Sequence, residues 1–221
     1  MKLASFILLV VLCVGMGVIY TIFHKRNDWQ GLLVRGLTIL SLLALAIVSA
    51  NLKELNNALP IFFILALGVL FITETIKTTQ KIEGRANLII YSVLSFASTT
   101  LLAVGAITLS QFNILSLVGG ILTGVGLGLI VCAVKKDWSV WSIVMEVLVW
   151  LGVGLLLGFA MTAVLTSKHL LSSVFMLLGA VFMLAYKLIE KFASNNKVFE
   201  YISNALYVLS LLLLTITIYL F

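Results

Sequence analysis

Six ionisable residues interrupt otherwise apolar stretches of the chain: Arg35, Glu74, Lys77, Glu146, Lys187 and Glu190. A charge in such surroundings is expensive and is expected to face a cavity or an opposite charge. Lys77, Lys187 and Glu190 can also reach the membrane surface by snorkelling, as can Arg35. Glu74 is short and a turn deeper, so it calls for a buried partner. Glu146 is the deepest. It is either protonated, paired with Arg35 or Lys187 to hold helices together, or part of a site.

All six fall in one half of the membrane although they come from four apolar segments. A polar cavity open to the cytoplasm is the simplest arrangement that satisfies Arg35, Glu74, Glu146 and Lys187 together, and Tyr186 lies beside the last of these. Ser98, Thr99 and Thr100 ordinarily bond their own backbone carbonyls. They join the cavity only if they face it. Metal chemistry is not expected, because His24 and His169 lie on opposite sides and Cys13 and Cys132 read as small apolar residues. No G-x-S-x-G, H-E-x-x-H or Walker pattern occurs. Gly120, Gly124 and Gly128 share one helix face, and Gly154 and Gly158 repeat the spacing. That pattern suits close helix packing or, alternatively, a groove for a lipid tail.

The elements that must position these residues are eight apolar stretches, about Leu3–Phe23, Gly31–Ala50, Ala58–Lys77, Ala86–Leu109, Ile114–Val134, Trp138–Met161, Leu170–Ile189 and Tyr201–Phe221. A hydrocarbon core about 30 Å thick needs about 20 helical residues to cross it. The expected fold is all-α, a polytopic membrane bundle of eight transmembrane helices forming one domain over residues 1–221. With 62% hydrophobic and 10% charged residues, the composition excludes a soluble globular domain, in which about 25% are charged. The lone proline, Pro60, falls at the start of a span, where a missing N–H costs little. The first span reads as retained rather than as a cleaved signal, since its apolar run is long and its positive charges follow it.

The formal net charge of +6 is a topology signal and does not suggest nucleic-acid binding. Lys25, Arg26, Arg35, Lys77, Lys81, Arg85, Lys135, Lys136, Lys187, Lys191 and Lys197 lie in or beside odd-numbered loops; Lys2, Lys53 and Lys168 lie on the other side. Basic residues stay cytoplasmic in short-loop membrane proteins. Both termini are therefore expected outside, with Trp29, Trp138 and Trp141 at the basic interface. The expected location is a bacterial plasma membrane.

The order of features resembles the YhhN-type lysoplasmalogenase family of eight-span membrane proteins. "RGLTILSLLALA" from Arg35 is similar to the basic residue and "PLT" that open the family's second span. "LALGVLFITETIKTT" resembles its third-span Gly-Asp segment, and "FASTTLL" falls where the family has Phe followed by Ser-His. "LLGAVFMLAYKLIEKF" resembles the seventh-span segment, and "ALYVLSLLLL" the closing one. The likeness spans nearly the whole chain in mostly apolar strings. It implies two facing carboxylates acting as acid and base on the vinyl ether of a lysolipid, a division possible when proximity pushes their pKa values apart.

This chain departs from that pattern. Thr73-Glu74 stand for Gly-Asp, Thr99 or Thr100 for the His, Lys187 for the seventh-span Asp and Leu211 for a final glutamine. A Glu facing a Lys would neutralise it and leave neither poised as an acid. The resemblance therefore implies a catalytically weakened or silent relative that binds membrane lipid or another amphiphilic small molecule, without a cofactor. An active hydrolase using Glu74 and Glu146 is the alternative. A small transporter is a third reading: Arg35 and Glu146 sit on the second helix of each half of the chain, Glu74 and Lys187 on the third.

Overall fold

A computed structural model of the chain describes residues 2–23, 29–52, 58–79, 85–110, 112–193 and 196–221. Lys25, Arg26, Lys53 and Lys81 of the charge count, and His24, lie outside these residues. The described residues form eight α-helices: α1 (Lys2–Phe23), α2 (Trp29–Leu52), α3 (Ala58–Thr79), α4 (Arg85–Leu109), α5 (Ile114–Lys135), α6 (Val140–Thr166), α7 (Leu170–Phe192) and α8 (Lys197–Leu220). All eight are long and apolar enough to cross a membrane. The chain is an integral membrane helix bundle.

Polar caps set several helix starts. Asn196 accepts the Val198 N–H at 2.9 Å and starts α8 four residues before the apolar run at Tyr201. Asn113 caps α5 in the same way through Leu115. Ser139 accepts the Ser142 N–H at 3.2 Å and opens α6. Between α5 and α6, Lys136 adopts a left-handed conformation (φ 54°) and its N–H bonds the Ala133 carbonyl, while the Asp137 N–H bonds that of Cys132. This tight C-terminal turn sets Lys135, Asp137 and Glu146 close together.

Successive helices alternate in direction. The α5 C-terminus, the α6 N-terminus and the α7 C-terminal turn meet at one end, through ion pairs of Lys135 and Lys191 with Glu146. At the other end the Ser172 hydroxyl, early in α7, donates to the Thr217 carbonyl, late in α8. The order α1–α2–α3–α4–α6–α7–α8 closes on itself, with α8 packing on α2 and α1 as well as α7. The core takes large side chains from this set, among them Phe63, Leu67, Leu102, Leu156, Met176, Met183 and Leu211.

Helix α5 is attached differently. Its buried residues are Gly120, Gly124, Gly128, Val131 and Cys132, and it packs along α6. A Cβ on Gly124 would stand 2.5 Å from Leu151 Cα and one on Gly128 2.7 Å from Val147 Cα. From the facing side, a Cβ on Gly158 would stand 2.5 Å from the Ser116 carbonyl oxygen, and one on Gly154 would strike that of Gly120. The glycines thus bring two backbones into contact, which is how helices associate where lipid supplies no hydrophobic drive. The opposing helix fills the space a lipid tail would need.

Gly124→Ala should lower thermal stability by about 1–3 kcal/mol, the usual cost of overpacking against groups that cannot yield. Gly126→Ala, with nothing within 4 Å of its Cβ, should stay within about 0.5 kcal/mol. Thermal unfolding of the two variants in the same detergent checks the contrast.

Candidate functional site

Two polar regions occupy the basic end of the bundle. The inner one is enclosed by Thr73 and Glu74 of α3, Tyr91, Ser95, Ser98 and Thr99 of α4, Met183, Tyr186 and Lys187 of α7, and Tyr207 of α8. Glu74, Thr99, Tyr186 and Lys187 are all buried here. The Lys187 ammonium donates to the Ser95 hydroxyl oxygen at 2.8 Å. Tyr186 lies against Tyr207 with ring centroids 4.8 Å apart, and Tyr207 against Tyr20 at 5.8 Å. The open volume is about 20 Å³, room for about one water. It is a packed polar knot in this conformation.

Local helix geometry explains which fourth-span residues take part. Ser92, Ser95 and Thr99 recur at three- and four-residue steps and form one buried face of α4. Thr99 donates to the Ser95 carbonyl at 2.8 Å, and Ser98 donates to the same oxygen at 3.0 Å. Thr99 also fits against Gly152 of α6, where a Cβ would strike its hydroxyl. Thr100 is turned about 100° away from Thr99. It lines neither polar region, and its buried hydroxyl has no hydrogen-bond partner among the described residues.

The outer region is a cleft of about 310 Å³ that contains Glu146. Glu146 lies six residues into α6, about 9 Å from its start at about 1.5 Å per residue, and its side chain is 10% exposed. Lys135 from α5 and Lys191 from α7 both donate to Glu146 Oε1 at 2.7 Å. The two ammonium nitrogens are therefore no farther apart than twice that distance. Ser92, Ser139 and Ser142 add hydroxyls, Leu88, Met145 and Val149 an apolar wall, and Trp141 and Asp137 a rim. Asp137 is fully exposed; the Ser139 N–H, 3.1 Å from its Oδ1, and the Ser139 and Ser142 hydroxyls hold its carboxyl below the usual range. It is ionised at neutral pH.

The expected single cavity is thus divided. Glu74, Thr99, Tyr186 and Lys187 share the inner knot, whereas Glu146 lines the cleft and pairs with Lys135 and Lys191 in place of the expected Arg35 or Lys187. Arg35 is buried on α2 and lines neither region. The reason is topological: α2 packs on α1, α3 and α8, while the cleft opens among α4, α6 and the ends of α5 and α7. Tyr91 lines both regions and is the partition between them. Sequence reasoning misses Tyr91, Ser95, Lys135 and Lys191 as site residues, while Tyr207 is the tyrosine of the closing segment that carries the resemblance. The spacing Tyr91–Ser95–Thr99 carries a readable helical signal; Lys135 and Lys191 read in the sequence as part of the basic loop bias.

Because both lysines share one oxygen, their losses should not add. Lys135→Gln or Lys191→Gln leaves Glu146 one partner and should cost about 0.5 kcal/mol. The double variant leaves a buried carboxylate without a cation and should cost about 2 kcal/mol or more. Thermal unfolding of the four proteins in a double-mutant cycle measures this coupling.

No protein-family model matches the chain, and neither a curated protein nor a solved structure matches it.

Proposed function

We propose that this integral membrane protein binds the polar part of a lipid or another amphiphile from the cytoplasmic side, and that it is a catalytically silent relative of the YhhN-type lysoplasmalogenases. One observation carries the binding reading: the cleft of about 310 Å³ combines paired charges, hydroxyls and an apolar wall at one end of the bundle. That volume is at the lower end of ligand sites, about 300–1,000 Å³, and its mixed lining suits a molecule with a polar head and an apolar stem. The silent reading is supported by Lys187, which stands at the position the resemblance gives to a second carboxylate and lies in the same small knot as Glu74. A hydrolase rebuilt on Glu74 and Glu146 would need them at one substrate bond. They line different regions, and two ammonium groups engage Glu146.

Aldehyde release from lysoplasmalogen should be at background for the unmodified protein and for Glu74→Gln. Mass spectrometry of the purified protein should find retained amphiphile, lost on Ser142→Trp, which fills the half-buried cleft wall at that position. Robust release that vanishes in Glu74→Gln would overturn the silent reading.

The orientation follows the basic bias, with the Lys135–Lys136 end cytoplasmic and both termini outside in a bacterial plasma membrane. In a background lacking Cys13 and Cys132, Lys136→Cys should resist an impermeant thiol reagent in intact cells and react once the membrane is opened. Labelling in intact cells reverses the orientation.

A further inference from the structure

We infer that the cleft binds the phosphate of an anionic membrane lipid, with Lys135 and Lys191 as its cationic donors and Glu146 as the group that holds them together. The inference rests on the amphiphile-binding reading and names the headgroup chemistry.

Each ammonium carries three N–H donors, and Glu146 Oε1 takes one hydrogen bond from each. Two cations on one carboxylate leave a net charge of +1 at the inner end of the cleft. The other carboxylate, Asp137, is at the fully exposed rim, where water and salt screen it. The two nitrogens are close enough for the unesterified oxygens of one phosphodiester to engage both, in charge-assisted hydrogen bonds. Basic pockets between membrane helices are suited to anionic headgroups for this reason.

Position selects a lipid over a soluble phosphate. Trp141 at the rim and neighbouring Trp138 are both exposed, as tryptophans at the headgroup level are. Leu88, Met145 and Val149 offer an apolar wall beside the charges, which a glyceride stem covers and inorganic phosphate does not. A choline phospholipid adds its own quaternary ammonium beside the two lysines, so the inner end of the cleft favours a headgroup with net negative charge.

The test uses the full chain, delipidated in neutral detergent, with binding of dioctanoyl phosphatidylglycerol, dioctanoyl phosphatidylcholine and glycerol 3-phosphate read by thermophoresis. Phosphatidylglycerol should bind about tenfold more tightly than phosphatidylcholine, the scale expected of lysines at an anionic headgroup. Lys135→Gln and Lys191→Gln, each leaving Glu146 one ammonium and the fold intact by thermal unfolding, should each reduce that preference severalfold. Lys136→Gln, exposed and outside the cleft lining, should preserve it. Equal binding of the two lipids, or an unchanged preference in both cleft variants, overturns the anionic site while the amphiphile reading stands. Glycerol 3-phosphate binding as tightly as phosphatidylglycerol overturns the lipid source. Binding of neither lipid overturns both readings.

Discussion

Hydrocarbon offers no hydrogen-bond partner, so each backbone polar group and each intramembrane charge must be satisfied within the protein. In this chain the first demand produces eight helices. The second draws Glu74, Glu146 and Lys187 into polar regions at the basic end of the bundle, while the fourth buried charged residue among those described, Arg35, lies outside both regions. At the opposite end several hydroxyls return to helix carbonyls, such as Thr162 to Gly158, Thr166 to Thr162 and Thr217 to Leu213. Buried charge among the described residues is therefore lopsided across the bundle. A helix can absorb a threonine anywhere along its length, but a lysine or glutamate needs a neighbour of opposite sign or an open mouth.

The two polar regions meet that need in spaces of different size. In the inner knot, side chains from α3, α4, α7 and α8 close around a space of about one water, and Lys187 is held by a serine hydroxyl. In the cleft, the turn at Lys136 delivers Lys135 and the C-terminal turn of α7 delivers Lys191 to the same oxygen of Glu146. The close approach of α5 and α6 along their glycines makes the first of these pairings possible. A β-carbon at Gly128 would push α5 away from Val147, the neighbour of Glu146. Packing and electrostatics are coupled through that single helix contact.

The sequence by itself determined the membrane-spanning fold. Apolar runs of about 20 residues admit one solution in a bilayer, an α-helix, so the count and approximate bounds of the spans required no tertiary information. It also marked which residues would be costly, since Glu74, Glu146, Lys187 and Arg35 stand out against their surroundings. The glycine spacing was equally legible, because three glycines four residues apart share a face whatever lies opposite. Which charge meets which partner was not legible. Glu146 was expected beside Arg35 or Lys187, and α5 and α7 brought it Lys135 and Lys191 instead. Periodicity places a side chain on a face of its own helix, whereas pairing depends on the order of helices around the bundle and on how far each end protrudes. Those quantities come from the sum of many helix contacts, none of them written in any one stretch of sequence. The division into a closed knot and an open cleft was decided there, at the level of tertiary structure.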